Sequence, residues 1–257
     1  MITVIVQARL ESSRLPGKTL ADIAGRPMLA HVVERAKVIP GIDDLVLAIA
    51  EGTANEPIVD FARASGLRWE RGSETDVLDR TYRTVCRFPT DAIVRISPDC
   101  PLLDPLISGL VVARYRSFSG SVDYVSNVHP PTFPDGLDTE VFSHEALEGA
   151  WREAQLRSDR EHVTSFIWRH DKRFRLDNVA NSQDLAAQRW TVDTAADLEF
   201  VRAVFAALDG PGRVFGMDDV LRLLELRPDL RALNAGQRRN EGFEKSLAAD
   251  ATPRAAR

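Results

Sequence analysis

The chain opens Met1-Ile2-Thr3-Val4-Ile5-Val6 and runs on as Gln7-Ala8-Arg9-Leu10-Glu11-Ser12-Ser13-Arg14-Leu15-Pro16-Gly17-Lys18. The first stretch is continuous apolar and β-branched sequence, the pattern of a strand covered on both faces. The second is a loop with cations at Arg9, Arg14 and Lys18 and hydroxyls at Ser12 and Ser13. Leu29, Val32, Val33 and Ala36 then recur at helical spacing, which completes a strand, loop and helix unit. In a parallel α/β sheet the loops at the carboxyl ends of the strands line the ligand crevice. There Arg14 and Lys18 are expected as exposed cations facing a phosphate chain, with Gly17 letting backbone N–H groups approach. The loop matches neither a Walker A sequence nor a dinucleotide fingerprint. A solvated basic turn after an edge strand is the plain alternative.

Outward from this unit the pattern repeats. Strands are expected at Leu45 to Ala50, Leu67 to Trp69 and Ala92 to Ser97, with helices at Asn55 to Ala64 and Asp76 to Cys86. Such alternation predicts an α/β fold with a mostly parallel sheet, right-handed crossovers and helices on both faces. A helix after Pro105 and a strand at Val122 to Ser126 follow. Between about 128 and 181 the rhythm changes to a Pro-rich turn, the run Asp138 to Phe142, helices at Glu145 to Gln155 and Glu161 to His170, and a strand at Arg175 to Val179. This segment reads as an insertion or lid carrying substrate contacts. The alternation resumes with a strand at Trp190 to Val192 and a long helix containing Leu198, Val201 and Phe205; a last helix holds Val220, Leu221 and Leu224. The expected organisation is one domain over residues 1–235, with 236–257, poor in large apolar residues, as a disordered tail.

Composition narrows the function classes. Of 257 residues, 44% are hydrophobic and 28% charged, with a net charge of −5, an ordinary soluble globular profile. No apolar run approaches the roughly 20 residues of a membrane span, and the start lacks a signal-peptide pattern, so a cytoplasmic protein without membrane contact is expected. The acidic balance argues against nucleic acid as a partner. Two cysteines, Cys86 and Cys100, are too few for a disulfide framework or a four-ligand zinc site.

Two acids stand where a second charge is needed. Asp99, in Ser97-Pro98-Asp99-Cys100-Pro101, ends a buried strand in a proline-held loop. A carboxylate beside a phosphate site suggests Mg²⁺, which is usually held by one or two carboxylates plus substrate phosphates. Asp193 fits as the second ligand, although Asp193-Thr194 before an amphipathic helix is also an ordinary capping arrangement. As ligands in an anionic cluster, both should tolerate Asn without loss of melting temperature.

Taken together, Gln7 to Lys18, Ile23 to Leu29, Arg95 to Pro105, Phe133 to Phe142, Arg160 to Thr164 and Arg189 to Phe200 resemble the cytidylyltransferases that make CMP-activated acid sugars. The group most resembled is that of the spore coat polysaccharide biosynthesis protein F, over about residues 1–205. The resemblance implies a Rossmann-like fold of the nucleotide-diphospho-sugar transferase type and binding of CTP with Mg²⁺. By position it implies that Gln7, Ala8, Arg9, Ser12, Arg14, Lys18 and Ser97 contact the nucleotide, and that Asp99 and Asp193 hold the metal. Arg71, Gly72, Ser73, Asp76 and Val77 would meet base and ribose. Asp135, Asp138, Glu140, Arg160, Glu161, His162 and Arg189 fall where the acceptor would lie. A small anionic acceptor is expected, held by arginines such as Arg95, Arg160 and Arg189. The resemblance also implies a homodimer through the segment from Val128 to His170, whose Val141, Phe142, Leu147, Trp151, Phe166 and Trp168 look too many to bury locally. A glycosyltransferase of similar fold and a non-catalytic nucleotide-binding protein are the competing readings; the usual DxD metal motif of the former is not found at a strand end.

Overall fold

The computed structural model describes residues 1–210, 214–236, 239 and 241–251. The strands are β1 (Ile2–Ala8), β2 (Asp22–Ile23), β3 (Arg26–Pro27), β4 (Asp44–Ala50), β5 (Arg68–Gly72), β6 (Ala92–Ile96), β7 (Tyr124–Ser126), β8 (Glu140–Ser143) and β9 (Leu176–Asn178). Among the described residues, β2 and β3 pair alone and the other seven form one sheet in the order β5-β4-β1-β6-β8-β7-β9. It is parallel from β5 to β6, while β8 runs against both its neighbours. This is the mixed, mostly parallel α/β sheet that the alternation predicted.

Strand alternation sends the two faces of β1 into different cores. Val4 and Val6 pack with Leu29, Val32 and Val33 of α1 (Met28–Lys37), Ile58 of α2 (Glu56–Ala64) and Val111 of α4 (Pro105–Ser117). Ile5 faces the other way, toward Leu78 of α3 (Val77–Arg87), Leu147 of α5 (His144–Glu153) and Ile167 of α7 (Ser165–Arg169). A third core gathers Trp190 and Val192 with Phe200 and Val204 of α8 (Ala195–Leu208) and Leu224 of α9 (Met217–Leu226). The fully buried β1 is therefore what carries the loop after Ala8 to the rim of the sheet.

Four expectations change. The supposed insertion 128–181 is no separate lid, because β8 and β9 belong to the main sheet. Its apolar residues are accommodated within the chain: Val141, Phe142, Leu147 and Phe166 are buried, and Trp151 and Trp168 pack partly buried on the same core. Local crowding therefore gives no argument for a dimer. The helix expected over Glu161 to His170 is broken into α6 (Arg157–His162) and α7 at Val163, whose φ of 63° cannot continue a right-handed helix. That break sets the Thr164 hydroxyl 2.6 Å from Glu140. Trp190 to Val192 is a strap, not a strand: Arg189 makes a single bridge to Asp135, and the Thr194–Asp197 capping box starts α8 soon after. Finally, Glu241–Asp250 of the supposed tail forms a helix, α11, docked on α6; residues 252–257 lie outside the described residues. A short helix α10 (Pro228–Ala232) precedes it.

Gly136 locks the strap. Its φ is 112°, and a Cβ there would stand 2.7 Å from the Thr191 nitrogen and the Trp190 carbonyl carbon, closer than any real contact. Gly136→Ala should therefore lower stability by about 2 kcal/mol or more, combining backbone strain with overpacking. Urea unfolding checks this; an unchanged midpoint would show that the strap can give way.

Candidate active site

The site lies at the carboxyl ends of β1 and β6. Lys18 starts a short 3₁₀ turn, Lys18–Leu20, and is 8% exposed, not the open cation expected. Its Nζ donates to Asp99 Oδ2 at 2.9 Å, to Asp193 Oδ1 at 2.8 Å and to the Val192 carbonyl at 2.7 Å. Burial opposes the charge on Lys18, yet the two carboxylates outweigh it and hold its pKa above the ordinary lysine value. Burial likewise opposes ionisation of Asp193, but Lys18, Arg14 and Arg189 bring its pKa below the usual carboxylate range. The expectation of repelling acids is thus overturned: Asp193 meets Arg14 at 2.9 Å and Arg189 at 2.7 Å as well as Lys18. Nor is Asp193 the helix cap, since Thr194 caps α8. Backbone bonds hold the strap against the Asp99 loop, Val192 N donating to the Asp99 carbonyl at 2.8 Å.

Around this floor opens a cavity of about 520 Å³. Of the expected residues, Gln7, Ala8, Arg9, Ser12, Arg14, Lys18, Ser97, Asp99, Asp135, Asp138, Glu161, His162, Arg189 and Asp193 line it. Several have their polar groups engaged already. Gln7 is clasped between Thr81 and Arg95, and the Gly17 N–H is spent on the Leu10 carbonyl, so it is not open to a phosphate. The three arginines expected to hold an anionic acceptor all have carboxylate partners: Arg95 with Glu140, Arg160 with Asp76, and Arg189 with Asp135, Asp193 and Asp197. Burial and the neighbouring Asp138 push Asp135 up to about 7, against the pull of Arg239 and Arg189.

Of the residues expected to meet base and ribose, Val77 lines the cavity and the others do other work. Arg71 pairs with Glu56 at 2.8 Å, Ser73 Oγ accepts from the Asp76 N–H, and Asp76 caps α3 while Arg160 grips it; none of these, nor Gly72 or Arg160, lines the cavity. What their loop positions is Arg80. This side chain is 2% exposed, donates to the Ser73 carbonyl at 2.7 Å, and has a buried Nε without a hydrogen-bond partner while lining the cavity. A Cβ on Gly72 would stand 3.0 Å from it. Burial and nearby Arg9 lower its pKa to about 10. A buried guanidinium with an idle donor is suited to an anion. The sequence signal was an arginine at i+3 from Val77, on the apolar face of α3. Glu241, Phe243 and Ser246 of α11 also line the cavity, a contribution that sequence reading missed.

The donor chemistry suits a magnesium ion. Asp99 and Asp193 are hard oxygen donors from separate loops, already converging on one cation. Among the described residues no group of three or more His, Cys, Asp and Glu side chains could hold a metal, so other ligands would come from substrate and water. No described helix is long and apolar enough to cross a membrane.

The cytidylyltransferase family profile matches residues 3–209. An uncharacterized protein of Methanocaldococcus jannaschii is 31% identical over 239 residues, covering 91% of this chain and 94% of its own. The spore coat polysaccharide biosynthesis protein SpsF of Bacillus subtilis is 27% identical, covering 89% and 95%. The solved structure of a cytidylyltransferase from Leptospira borgpetersenii superposes with a TM-score of 0.86 at 26% identity, covering 93% of this chain and 99% of its own.

Two outcomes test the floor. Lys18→Met leaves two carboxylates facing each other without their shared cation, and should cost about 3 kcal/mol, read as a lower melting temperature. For Asp193 the sign follows from its depressed pKa: the stability it contributes is complete above the ordinary carboxylate value of 3.8 and is lost as pH falls through its lower folded value. The melting-temperature gap between wild type and Asp193→Asn should accordingly be widest near neutral pH and close in acid. A gap that persists at the acid end would show that Asp193 is not held ionised.

Proposed function

Since the chain belongs to the cytidylyltransferase family, we propose that it transfers CMP from CTP to a small sugar-like acceptor with Mg²⁺ and releases pyrophosphate, for surface polysaccharide or related glycoconjugate synthesis. One observation carries the reading: Asp99 and Asp193 converge on a cation at the floor of a cavity that also holds Arg9, Arg14 and Arg80. Triphosphate oxygens would be met by Arg14 and Arg80, while Lys18 holds Asp99 and Asp193 in place beneath them. A metal bound by Asp99 and Asp193 would withdraw charge from the α-phosphate and the departing pyrophosphate. An acceptor oxygen attacks the α-phosphorus and the bond to the bridging oxygen of the pyrophosphate breaks. Where that oxygen begins as a hydroxyl, its proton passes to a nearby carboxylate or through water. Arg189 keeps Asp193 and Asp135 in place throughout, by a fork of hydrogen bonds at 2.7 and 2.9 Å. Catalysis of this kind rests on positioning and fixed charge. The homodimer implied by the resemblance belongs to the same reading, and light scattering at micromolar concentration checks it.

The test is pyrophosphate release with each of four nucleoside triphosphates, Mg²⁺ and a panel of sugar acceptors. CTP should be preferred, and Arg80→Ala should lower kcat/KM for CTP by about 10²-fold, the usual cost of removing one preorganised contact to developing charge. Release independent of the base, or near-normal turnover in that variant, would overturn the assignment.

A further inference from the structure

The main cavity has a side chamber of about 110 Å³ at the start of β8, walled by Arg95, Asp138, Glu140, Trp168, Arg239 and Phe243. Its charges cancel. Arg95 is paired with Glu140, and Arg239 Nη2 donates to Asp138 Oδ1 at 2.5 Å. The remaining oxygen of Glu140 accepts from the Tyr124 and Thr164 hydroxyls at 2.6 Å each. Burial lowers the pKa of both histidines on its wall, His129 and His162, so neither adds positive charge near neutral pH. A carboxylate or phosphate entering here would find both lining arginines, Arg95 and Arg239, engaged and two acids beside it, a costly burial of charge. A hydroxyl or amide group could donate to Asp138, whose side chain keeps 32% of its surface open.

The apolar part of the chamber is an aromatic corner. Trp168 and Phe243 stand with ring centroids 5.4 Å apart at 61°, and His129 lies 4.4 Å from Trp168. Rigid rings of this sort pack against the C–H face of a sugar. Phe243 comes from α11, beyond residue 209 where the family match ends. That helix is tied to both halves of the site: Glu241 to Arg14 at 3.3 Å, Ser246 to Glu161 at 3.1 Å, and Asp250 to the Ser158 N–H at 3.2 Å.

Building on the CTP-dependent transfer reading, we propose that α11 completes the acceptor seat and that the chamber takes an uncharged hydroxyl- or amide-bearing sugar ring, with Phe243 and Trp168 as specificity-determining residues.

The test uses the full chain with Mg²⁺, a non-hydrolysable CTP analogue and two probe sugars, N-acetylglucosamine and glucuronate, at equal millimolar concentration. Saturation-transfer NMR should show the ring protons of N-acetylglucosamine receiving magnetisation and those of glucuronate receiving far less. Phe243→Ala and Trp168→Leu should each weaken N-acetylglucosamine binding about tenfold, Phe243→Tyr should retain it, and analogue affinity should stay unchanged in Trp168→Leu, whose ring does not line the main cavity. Equal or better binding of glucuronate, silence from both sugars, or unaltered sugar binding in the Ala and Leu variants would overturn the proposal while analogue binding leaves the transfer reading standing. Failure of the analogue itself to bind would remove that reading, and this inference with it.

Discussion

One ammonium group organises this protein. Lys18 Nζ joins the loop after β1 to the loop after β6 and to the strap before α8, segments separated by 81 and 175 positions in the chain. Three hydrogen bonds to a nearly buried cation fix where three otherwise independent pieces of backbone end. The energy comes from charge pairing in a place where water competes poorly, which makes each partner depend on the others. The same arrangement holds two carboxylates side by side on one buried cation.

The sheet and this floor were legible in the sequence for a physical reason. A parallel strand buried on both faces must be continuously apolar, so β1, β4 and β6 announce themselves, and the residues just beyond their ends must lie at one rim. Lys18 and Asp99 were found by that logic, and Asp193 only because the buried strap before it reads like a strand. It gave no access to who pairs with whom. Arg95, Arg160 and Arg189 look like free cations along the chain because Glu140, Asp76 and Asp135 are 45, 84 and 54 positions away. Arg80 was overlooked because a helix that satisfies its period can still turn one cation inward. The helix α11 was misread because docking on α6 and the cavity wall, not its own apolar content, defines it. Trp190 to Val192 looked like a strand since burial alone makes a segment apolar, whether or not it has neighbours to bond.

The distribution of charge divides the cavity into two regimes. Near the loop after β1 lie cations with capacity to spare, Arg9 and the idle Nε of Arg80. Toward β8 the described arginines of the wall, Arg95 and Arg239, are each matched to an acid. A ligand spanning both would be sorted end to end by its charge, so orientation is imposed before any close contact forms.

The reversal of β8 has an evolutionary consequence. Asp99 follows the parallel strand β6 whereas Asp138 precedes β8, because the antiparallel strand begins at the rim where its neighbours finish. Glu140 stands directly opposite Arg95 in that register. Insertions in the connection leading into β8 can thus reshape the side chamber without altering the length of either loop that carries Lys18 or Asp99. The fold permits the two halves of its cavity to diversify at different rates, joined across β6 and β8 at the Arg95–Glu140 pair.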